Sequence, residues 1–340
     1  MTGDSLNPLK VGKGRKSFGY INVVRSLPIM AELPIGVVRG SSKGPTMAVT
    51  GGLFPTEYDG IEAASRLCQM VNPQDLSGTL LIVPVVNMPC LQFRTPWFNL
   101  TESISPMDGA NINSVFPGNL EGTVTEAIAY TLFRRVILKS DYHIDLRGGD
   151  LNESHLAYTM FLKLGKNKET DKKCEDIANV AGFKYTMAAT REYPYTRRGS
   201  LIYEAVTRGI CSVVFLSGLG YRTQPLRECV LSHVNGVTNA MKHLGMIKGR
   251  PVGSKEPDLL SATPNRIKTP VAGFFHANAD QGDIVKRKQL LGEIVDMDGS
   301  QLARIISPVD GVVQVMLPRR LVYTGDTLFN VRTVAHRRKK

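Results

Sequence analysis

The sequence contains few cysteines and no long hydrophobic run. Its five cysteines are scattered through 340 residues without a Cys-x-x-Cys pair, which argues against a zinc ribbon and against a disulfide framework. No apolar run approaches the ~20 residues that a membrane span needs. No hydrophobic segment follows the basic residues near the amino terminus, as a secretory signal would require. We therefore expect a cytoplasmic protein with no membrane partner.

Nucleic-acid-binding motifs are also missing, although the formal net charge is +12. Part of that charge lies in the terminal stretch His336-Arg337-Arg338-Lys339-Lys340, and no repeat of aromatic and basic residues accompanies the rest. An excess of positive charge fits a small anionic substrate at least as well as a polyanion. We expect a small anionic substrate and no nucleic acid. The oligomeric state stays open at this point, a homo-oligomer included.

Strand and helix patterns alternate over residues 1–247. Residues 46–49 and 79–87 are apolar runs typical of buried strands. Residues 61–70 and 125–138 have the apolar spacing of amphipathic helices. This alternation predicts a three-layer α/β domain, and the length of the chain leaves room for a second, smaller one.

The smaller domain is predicted after a linker at residues 248–265, which is rich in Gly, Pro, Ser and Lys. Residues 266–333 contain short strand patterns, and two similar segments begin at Pro270 and Pro308. This duplication resembles the small all-β barrel of biotinyl and lipoyl domains. No lysine stands between methionines at a hairpin tip, so we expect a structural or gating barrel and no swinging-arm carrier. Residues 334–340 are expected to form a basic tail.

A turn at residues 50–60 follows the first buried strand and precedes the first helix. It contains Gly51-Gly52 and, five residues later, Glu57. A glycine turn between a buried strand and a helix lies at the carboxyl edge of a sheet, where open α/β folds bind their ligands. The alternative is a tight turn that carries a charge without a function.

The order of motifs is similar to that of the succinylglutamate desuccinylase, aspartoacylase and N-acetyl-diaminobutyrate deacetylase family, whose fold is zinc-carboxypeptidase-like. The resemblance runs from about Gly36 to Val331 and includes the terminal barrel. The motifs are Gly51-Gly52-x-x-x-x-Glu57, Val83-Pro84-Val85-Val86-Asn87 with Arg94, Asp108-Gly109-x-x-x-Asn113-x-x-Phe116-Pro117-Gly118, Asp145-Leu146-x-Gly148-Gly149, Gly199-Ser200-Leu201 and Gly218.

The resemblance implies a zinc cofactor, yet this chain departs from the family's zinc site. The family binds zinc with His-x-x-Glu on the first turn and a second His after a later strand. Here those two histidine positions are Phe54 and Arg147, and only Glu57 remains. A phenyl ring has no lone pair to donate and a guanidinium has no acceptor atom, so we expect no zinc. The catalytic glutamate of the family corresponds to Leu216, and an arginine of the family corresponds to Ser114.

A rebuilt metal site would need other ligands, and the nearest candidates are His143, Asp145 and His155. Residues two apart on a strand share a face, so His143 and Asp145 can point together. Arg147 lies on that same face, where its positive charge repels a dication. A buried or hydrogen-bonded structural role is therefore favoured for both histidines.

The resemblance brings Glu57 and Arg147 together at the mouth of the pocket, where zinc would otherwise lie. We expect Arg147 to take the place of the metal and to pair with Glu57, which would act as general acid and base. The predicted substrate-binding residues are Arg94, Asn113, Asp145, Tyr195 and Tyr323. Arg94 corresponds to a family residue that binds the substrate carboxylate.

Three functions follow. The favoured one is a metal-independent hydrolase or lyase of amino-acid metabolism, acting on a small carboxylate-bearing amino-acid derivative. The alternative is a binding or regulatory protein without catalysis, in which a salt bridge fills the former metal site. The third and least favoured is a zinc-dependent deacylase of N-acyl amino acids.

Overall fold

The structure is a computed structural model of the chain. The residues that it describes are 9–24, 31–92, 104–150, 153–220, 222, 224–253, 256–317 and 320–336.

Eighteen strands form in the described residues. They are β1 (Arg15–Val24), β2 (Ala31–Arg39), β3 (Ser42–Thr50), β4 (Ser77–Val83), β5 (Tyr142–Arg147), β6 (Ser154–Leu162), β7 (Tyr185–Ala189), β8 (Cys211–Gly218), β9 (Asp258–Leu260), β10 (Asn265–Lys268), β11 (Gly273–Ala277), β12 (Ile284–Val285), β13 (Leu290–Val295), β14 (Gln301–Ile306), β15 (Gly311–Met316), β16 (Leu321–Val322), β17 (Thr327–Arg332) and β18 (Val334–Ala335).

Six α-helices form in the same part of the chain. They are α1 (Tyr58–Met70), α2 (Met88–Gln92), α3 (Val124–Arg135), α4 (Lys168–Val180), α5 (Leu201–Val206) and α6 (Arg227–His243). None of the helices in the described ranges has the length and apolar character needed to cross a membrane.

The large sheet has a parallel centre. Its strands follow the order β1-β2-β4-β3-β5-β8-β6, and β3 pairs in parallel with both β4 and β5. Strand β5 pairs in parallel with β8, and β6 runs antiparallel to β8. The carboxyl ends of β3, β5 and β8 therefore meet at one edge, where ligand sites of open α/β sheets lie.

Helices cover both faces of this sheet, which confirms the mixed α/β fold. Along β3, Met47 and Val49 pack in one apolar core together with residues of α1, α4 and α6. Ala48, between them, packs in the opposite core with residues of α3 and α5. Side chains of a strand alternate between its two faces, so each strand contributes to both cores. The arrangement is a sheet between two helical layers.

The terminal β region consists of two packed sheets. One has four strands in the order β14-β13-β11-β16, and the strands β10, β12, β15 and β17 face it across a common apolar core. Strand β15 also pairs with β6, so this region is continuous with the large sheet. Closure of the two sheets into a barrel stays a prediction.

Three segments differ from the expectations drawn from sequence. Strand β7 was not predicted, and it pairs with both β6 and β9. Strand β9 lies inside the predicted linker, where three residues join the large sheet. The predicted tail begins with β18, which pairs with β9. Such short strands carry too few residues for a recognisable period, so only their backbone partners reveal them.

A glycine allows helix α1 to approach β5 closely. A Cβ atom added at Gly60 would lie 2.5 Å from the carbonyl oxygen of Leu146. This close approach holds the start of α1, and with it Glu57, against the end of β5.

We predict that Gly60→Ala destabilises the protein. Alanine favours a helix by about 1 kcal/mol over glycine, but overpacking against the backbone costs about 1–3 kcal/mol. A urea titration should show a lower free energy of unfolding. Gly12→Ala is the matched control, because the nearest atom to its added Cβ is 3.6 Å away. Stability equal to that of the wild type would contradict the close packing of α1 on β5.

Candidate active site

Glu57 is held at the start of helix α1 by the glycine turn. The turn is anchored to the neighbouring strand, since Gly51 N donates to the Val83 carbonyl at 2.9 Å and Asn87 N donates to the Gly52 carbonyl at 3.0 Å. Gly52 adopts a φ of +56°, a conformation that glycine adopts without strain. The turn places the Glu57 side chain in the interior, where only 3% of the residue is exposed.

Arg147, the last residue of β5, meets Glu57 in a buried ion pair. Its Nε donates to both carboxylate oxygens of Glu57, at 2.9 and 2.8 Å. Its Nη1 lies 3.5 Å from Oδ2 of Asp145, and its guanidinium carbon lies 4.1 Å from the centre of the Phe54 ring. Arg147 thus pairs with Glu57, as the resemblance led us to expect, and Asp145 adds a second carboxylate beside it.

Burial and charge set the protonation of this pair. Burial raises the pKa of Glu57 to about 7, although Arg147 opposes the shift by attraction and hydrogen bonding. Burial alone would lower the pKa of Arg147, but Glu57 and Asp145 outweigh it and raise that pKa above its usual value. The guanidinium therefore keeps its charge, and Glu57 can gain or lose a proton near neutral pH.

In the described part of the chain, Nε makes the side-chain hydrogen bonds of Arg147. Its terminal nitrogen Nη1 forms the 3.5 Å ion pair with Asp145. A guanidinium can bind a carboxylate or an oxyanion with its two terminal nitrogens. Arg147 can therefore bind an anion with these atoms while Nε keeps Glu57 in place.

The ion pair lies in the wall of a cavity with an empty volume of about 420 Å³, counting space open to solvent. Charged groups, an apolar side and three phenols line it. The lining residues are Phe54, Glu57, Arg147, Gly148, Asp150, Glu153, His155, Tyr158, Met160, Tyr193, Tyr195, Val214 and Leu216. Its lining brings a guanidinium, carboxyl groups and phenols around one space, where they can contact a polar ligand.

The positions that the resemblance assigns to the family's zinc ligands and catalytic glutamate all line this one cavity. They are Phe54, Glu57, Arg147 and Leu216. Leu216 contributes an apolar side chain to the wall and cannot transfer a proton. Ser114, at which the resemblance implies a further departure, is not among the lining residues.

The residues at this place do not fit a zinc ion. Zinc needs three or four lone-pair donors, whereas Phe54 and Arg147 offer none and Arg147 binds both oxygens of Glu57. In the described part of the chain, no three His, Cys, Asp or Glu side chains come together as a metal cluster.

The two histidines considered as replacement ligands have other partners. Both ring nitrogens of His143 are hydrogen-bonded, Nε2 to Thr50 at 2.9 Å and Nδ1 to Ser212 at 2.8 Å. Burial lowers the pKa of His143 to about 4, so the ring is neutral. His155 lies 3.0 Å from Glu153 through Nε2. The structural role expected for His143 agrees with these contacts.

The predicted substrate-binding residues lie in different places. Tyr195 lines the cavity. Asp145 contacts Nη1 of Arg147 and accepts a hydrogen bond from Thr50 at 2.5 Å. Asn113 accepts a hydrogen bond from Leu201 N at 3.1 Å, at the start of α5, and does not line the cavity. Tyr323 is 66% exposed and is also absent from the lining. Arg94 lies outside the described residues.

Sequence reasoning missed four polar residues of the cavity. Asp150 and Glu153 follow the Gly148-Gly149 end of β5, and Glu153 N donates to Oδ1 of Asp150 at 2.8 Å. Tyr158 and Tyr193 supply two of the three phenols. The glycine pair could have indicated the carboxylates, because ligand sites form beyond strand ends.

The catalytic-domain model of the succinylglutamate desuccinylase/aspartoacylase family matches residues 43–207. N-alpha-acetyl-L-2,4-diaminobutyric acid deacetylase from Halomonas elongata is 26% identical over 301 residues, which are 87% of this chain and 84% of that protein. These matches support a relationship of the chain to the succinylglutamate desuccinylase/aspartoacylase family. Relatives in this family act as deacylases of amino-acid derivatives.

Two solved structures show the same fold. The succinylglutamate desuccinylase/aspartoacylase from Rhodobacter sphaeroides has a TM-score of 0.81 at 24% identity, covering 95% of this chain and 98% of its own. The product-bound ectoine utilization protein EutE from Ruegeria pomeroyi has a TM-score of 0.82 at 22% identity, with the same coverage of 95% and 98%. At this identity the likeness concerns the fold.

We predict that Glu57→Gln removes a pH-dependent part of the stability of the protein. The pKa of Glu57 is higher in the folded state, about 7, than the ordinary 4.5. Its contribution is therefore fully present below pH ~4.5 and is lost as the pH rises to about 7, by roughly 3 kcal/mol.

The test compares urea unfolding of the wild type and of Glu57→Gln between pH 4.5 and 7.5. The difference between their free energies of unfolding should change with pH. Glu62→Gln is the matched control, because Glu62 is a surface residue paired with Arg66. A pH-independent difference for Glu57→Gln would show that the folded state does not raise this pKa.

Proposed function

We propose that the protein is a metal-independent enzyme that acts on a small, carboxylate-bearing amino-acid derivative. The observation that carries this proposal is the buried pair of Arg147 and Glu57 in the cavity. The guanidinium is anchored through Nε, so that its terminal nitrogens can bind an anion. The carboxyl group beside it has a pKa of about 7, which suits proton transfer near neutral pH.

Amide hydrolysis needs an attacking water, a proton acceptor and a stabiliser of the oxyanion. In the proposed reaction the Glu57 carboxylate takes a proton from water as the water oxygen bonds to the acyl carbon. The carbonyl oxygen becomes negative and accepts hydrogen bonds from the terminal nitrogens of Arg147. As the C–N bond breaks, the Glu57 carboxyl returns its proton to the leaving nitrogen, and an acid and an amine result.

An elimination would use the same two groups. Glu57 would take a proton from the carbon next to a carboxylate or carbonyl, and Arg147 would stabilise the negative charge that develops on its oxygen. A C=C bond would form as the bond from the next carbon to the leaving nitrogen breaks, and the Glu57 carboxyl would return its proton to that nitrogen. Both reactions depend on a fixed positive charge next to a carboxyl group of raised pKa, which Arg147 and Glu57 supply. Phe54 and Arg147 offer no lone pair to a metal, so zinc takes no part in the proposed reaction.

The proposed substrate class rests on a relative and on the charge of the cavity. The relative is N-alpha-acetyl-L-2,4-diaminobutyric acid deacetylase, and the compound in its name carries a carboxylate and an acylated nitrogen. Arg147 in the cavity wall supplies a positive charge for such a carboxylate. Arg94 and Tyr195 are proposed to contact the substrate, with Arg94 on its carboxylate.

A second candidate function is ligand binding without catalysis. Leu216 favours it, because an apolar side chain lies in the cavity wall at the family's catalytic glutamate position. In this case Arg147 binds a carboxylate of the ligand, and Glu57 only neutralises the guanidinium between binding events.

We predict binding of N-acyl amino acids with chelator-resistant turnover. Three compounds form the test set: N-acetyl-L-aspartate, N-succinyl-L-glutamate and N-acetyl-L-2,4-diaminobutyrate. At least one should raise the melting temperature, and mass spectrometry should detect its conversion at an unchanged rate after treatment with EDTA. Glu57→Gln should lower turnover by 100-fold or more, since general acid–base catalysis contributes about 10²–10⁴-fold.

The controls separate the candidate functions. Glu62→Gln should leave turnover unchanged, because Glu62 lies on the surface of α1. Binding without turnover would favour the binding protein, and activity restored only by added zinc would favour a zinc deacylase. A Glu57→Gln variant with full activity would contradict the role of Glu57.

A further inference from the structure

The terminal β region reaches the cavity through two buried side chains. Gln314 lies on β15 and Arg332 on β17, and neither residue is exposed. Strand β15 pairs with β6, with Val315 opposite His155. This pairing brings Gln314 next to β6, the strand that carries Tyr158 into the cavity wall.

A chain of hydrogen bonds links these residues. Arg332 donates from Nε to Oε1 of Gln314 and from Nη1 to the carbonyl oxygen of Ser261. Gln314 donates from Nε2 to the phenolic oxygen of Tyr158 at 2.7 Å. The guanidinium of Arg332 also lies over the ring of Tyr193, 5.5 Å from its centre. Both tyrosines line the cavity.

Arg332 determines the direction of this chain. A guanidinium can only donate hydrogen bonds, so the atom of Gln314 that faces it must be the amide oxygen. The amide nitrogen of Gln314 therefore faces Tyr158, and the phenolic oxygen of Tyr158 accepts. The hydroxyl proton of Tyr158 is then available to a different acceptor.

The hydroxyl of Tyr158 stays protonated at neutral pH, because burial raises its pKa well above the usual value. The hydrogen bond from Gln314 uses a lone pair of the phenolic oxygen and leaves its proton to be donated. A buried hydroxyl proton is stabilised by an acceptor. An acceptor atom of a ligand in the cavity would satisfy it.

The neutral side chain at position 314 is informative. Arg332 is fully buried, and within the described ranges its side chain donates to the amide oxygen of Gln314 and to a backbone carbonyl, with no carboxylate among these acceptors. A glutamate at position 314 would neutralise this buried charge, which favours a carboxylate there. It would also accept a hydrogen bond from the hydroxyl of Tyr158, and so reverse the direction of the bond between the two side chains. The amide of Gln314 leaves the hydroxyl of Tyr158 able to donate into the cavity, whereas a glutamate would form an ion pair with Arg332 and lose this donor.

We propose that Tyr158 is a substrate-binding residue, which donates a hydrogen bond to a carboxylate or acyl oxygen of the ligand. Gln314 and Arg332 are positioning residues that fix the direction of this donation. The ligand class rests on the proposed function, whereas the direction of the hydrogen bond does not. The terminal β region thus contributes to ligand recognition.

The decisive variant is Gln314→Glu. The introduced carboxylate pairs with Arg332, so the melting temperature should be equal to or above that of the wild type. The hydroxyl of Tyr158 then donates its hydrogen bond to this carboxylate and no longer to the ligand, so the affinity for the bound N-acyl amino acid should fall. A lost hydrogen bond to a charged ligand corresponds to roughly 10-fold or more in affinity. Tyr158→Phe should show a loss of the same size.

Isothermal titration of N-acetyl-L-aspartate, N-succinyl-L-glutamate and N-acetyl-L-2,4-diaminobutyrate measures this loss. Gln301→Glu is the matched control, since Gln301 is an exposed glutamine of the same region that bonds Glu293; its affinity should be that of the wild type. Wild-type affinity in Tyr158→Phe would overturn the role of Tyr158. Affinity and melting temperature that fall together in Gln314→Glu would indicate a purely structural role and overturn the proposal.

A measurement without ligand tests the direction of the hydrogen bond separately. With tyrosine labelled with ¹³C at Cζ, the Tyr158 signal is assigned by its loss in Tyr158→Phe. Gln314→Glu should move this signal downfield, because the phenol then donates to a carboxylate. An unchanged signal would contradict the assigned direction. If the signal moves but none of the three compounds binds the wild type, both the proposed function and the contact of Tyr158 with the ligand are contradicted. The assigned direction of the hydrogen bond between Gln314 and Tyr158 is still supported in that case.

Discussion

The buried ion pair between Arg147 and Glu57 is the interaction on which the site depends. Removing two charges from water costs several kcal/mol per ion, and only close and well-oriented partners offset this cost. Nε of Arg147 reaches both oxygens of Glu57 within 2.9 Å. The close approach of α1 to β5 at Gly60 makes these distances attainable. The helix packing and the charge pair therefore depend on each other.

A chain of hydrogen bonds across the sheet supports this pair. Thr50 donates to Asp145, so its oxygen can accept only from His143, whose Nε2 must carry the proton. Nδ1 of His143 is then the acceptor for the hydroxyl of Ser212. This tautomer agrees with the lowered pKa of His143. Asp145 also contacts Arg147, and the network connects β3, β5 and β8 next to the cavity.

Much of the fold and half of the site could be predicted from sequence. The glycine turn places Phe54 and Glu57 at a strand end, because local geometry fixes both. Arg147 lies 90 positions from Glu57, and only the resemblance to the family predicted that the two meet. The bond between Gln314 and Tyr158 joins residues 156 positions apart. Gln314 lies in a run of valines. The hydrophobic pattern of such a run indicates a buried strand, but it does not indicate which strand it pairs with.

The same reasoning explains why the terminal β region was expected to be a separate structural or gating unit. Its internal duplication and the Gly-rich segment before it indicate a boundary. The pairing of β15 with β6 crosses that boundary, and a boundary crossed by strand pairing does not allow easy relative motion. Because β6 carries Tyr158 and β15 carries Gln314, any displacement of the region would move a cavity wall. A rigid contribution to the wall of the site therefore accounts for the contacts better than a gate.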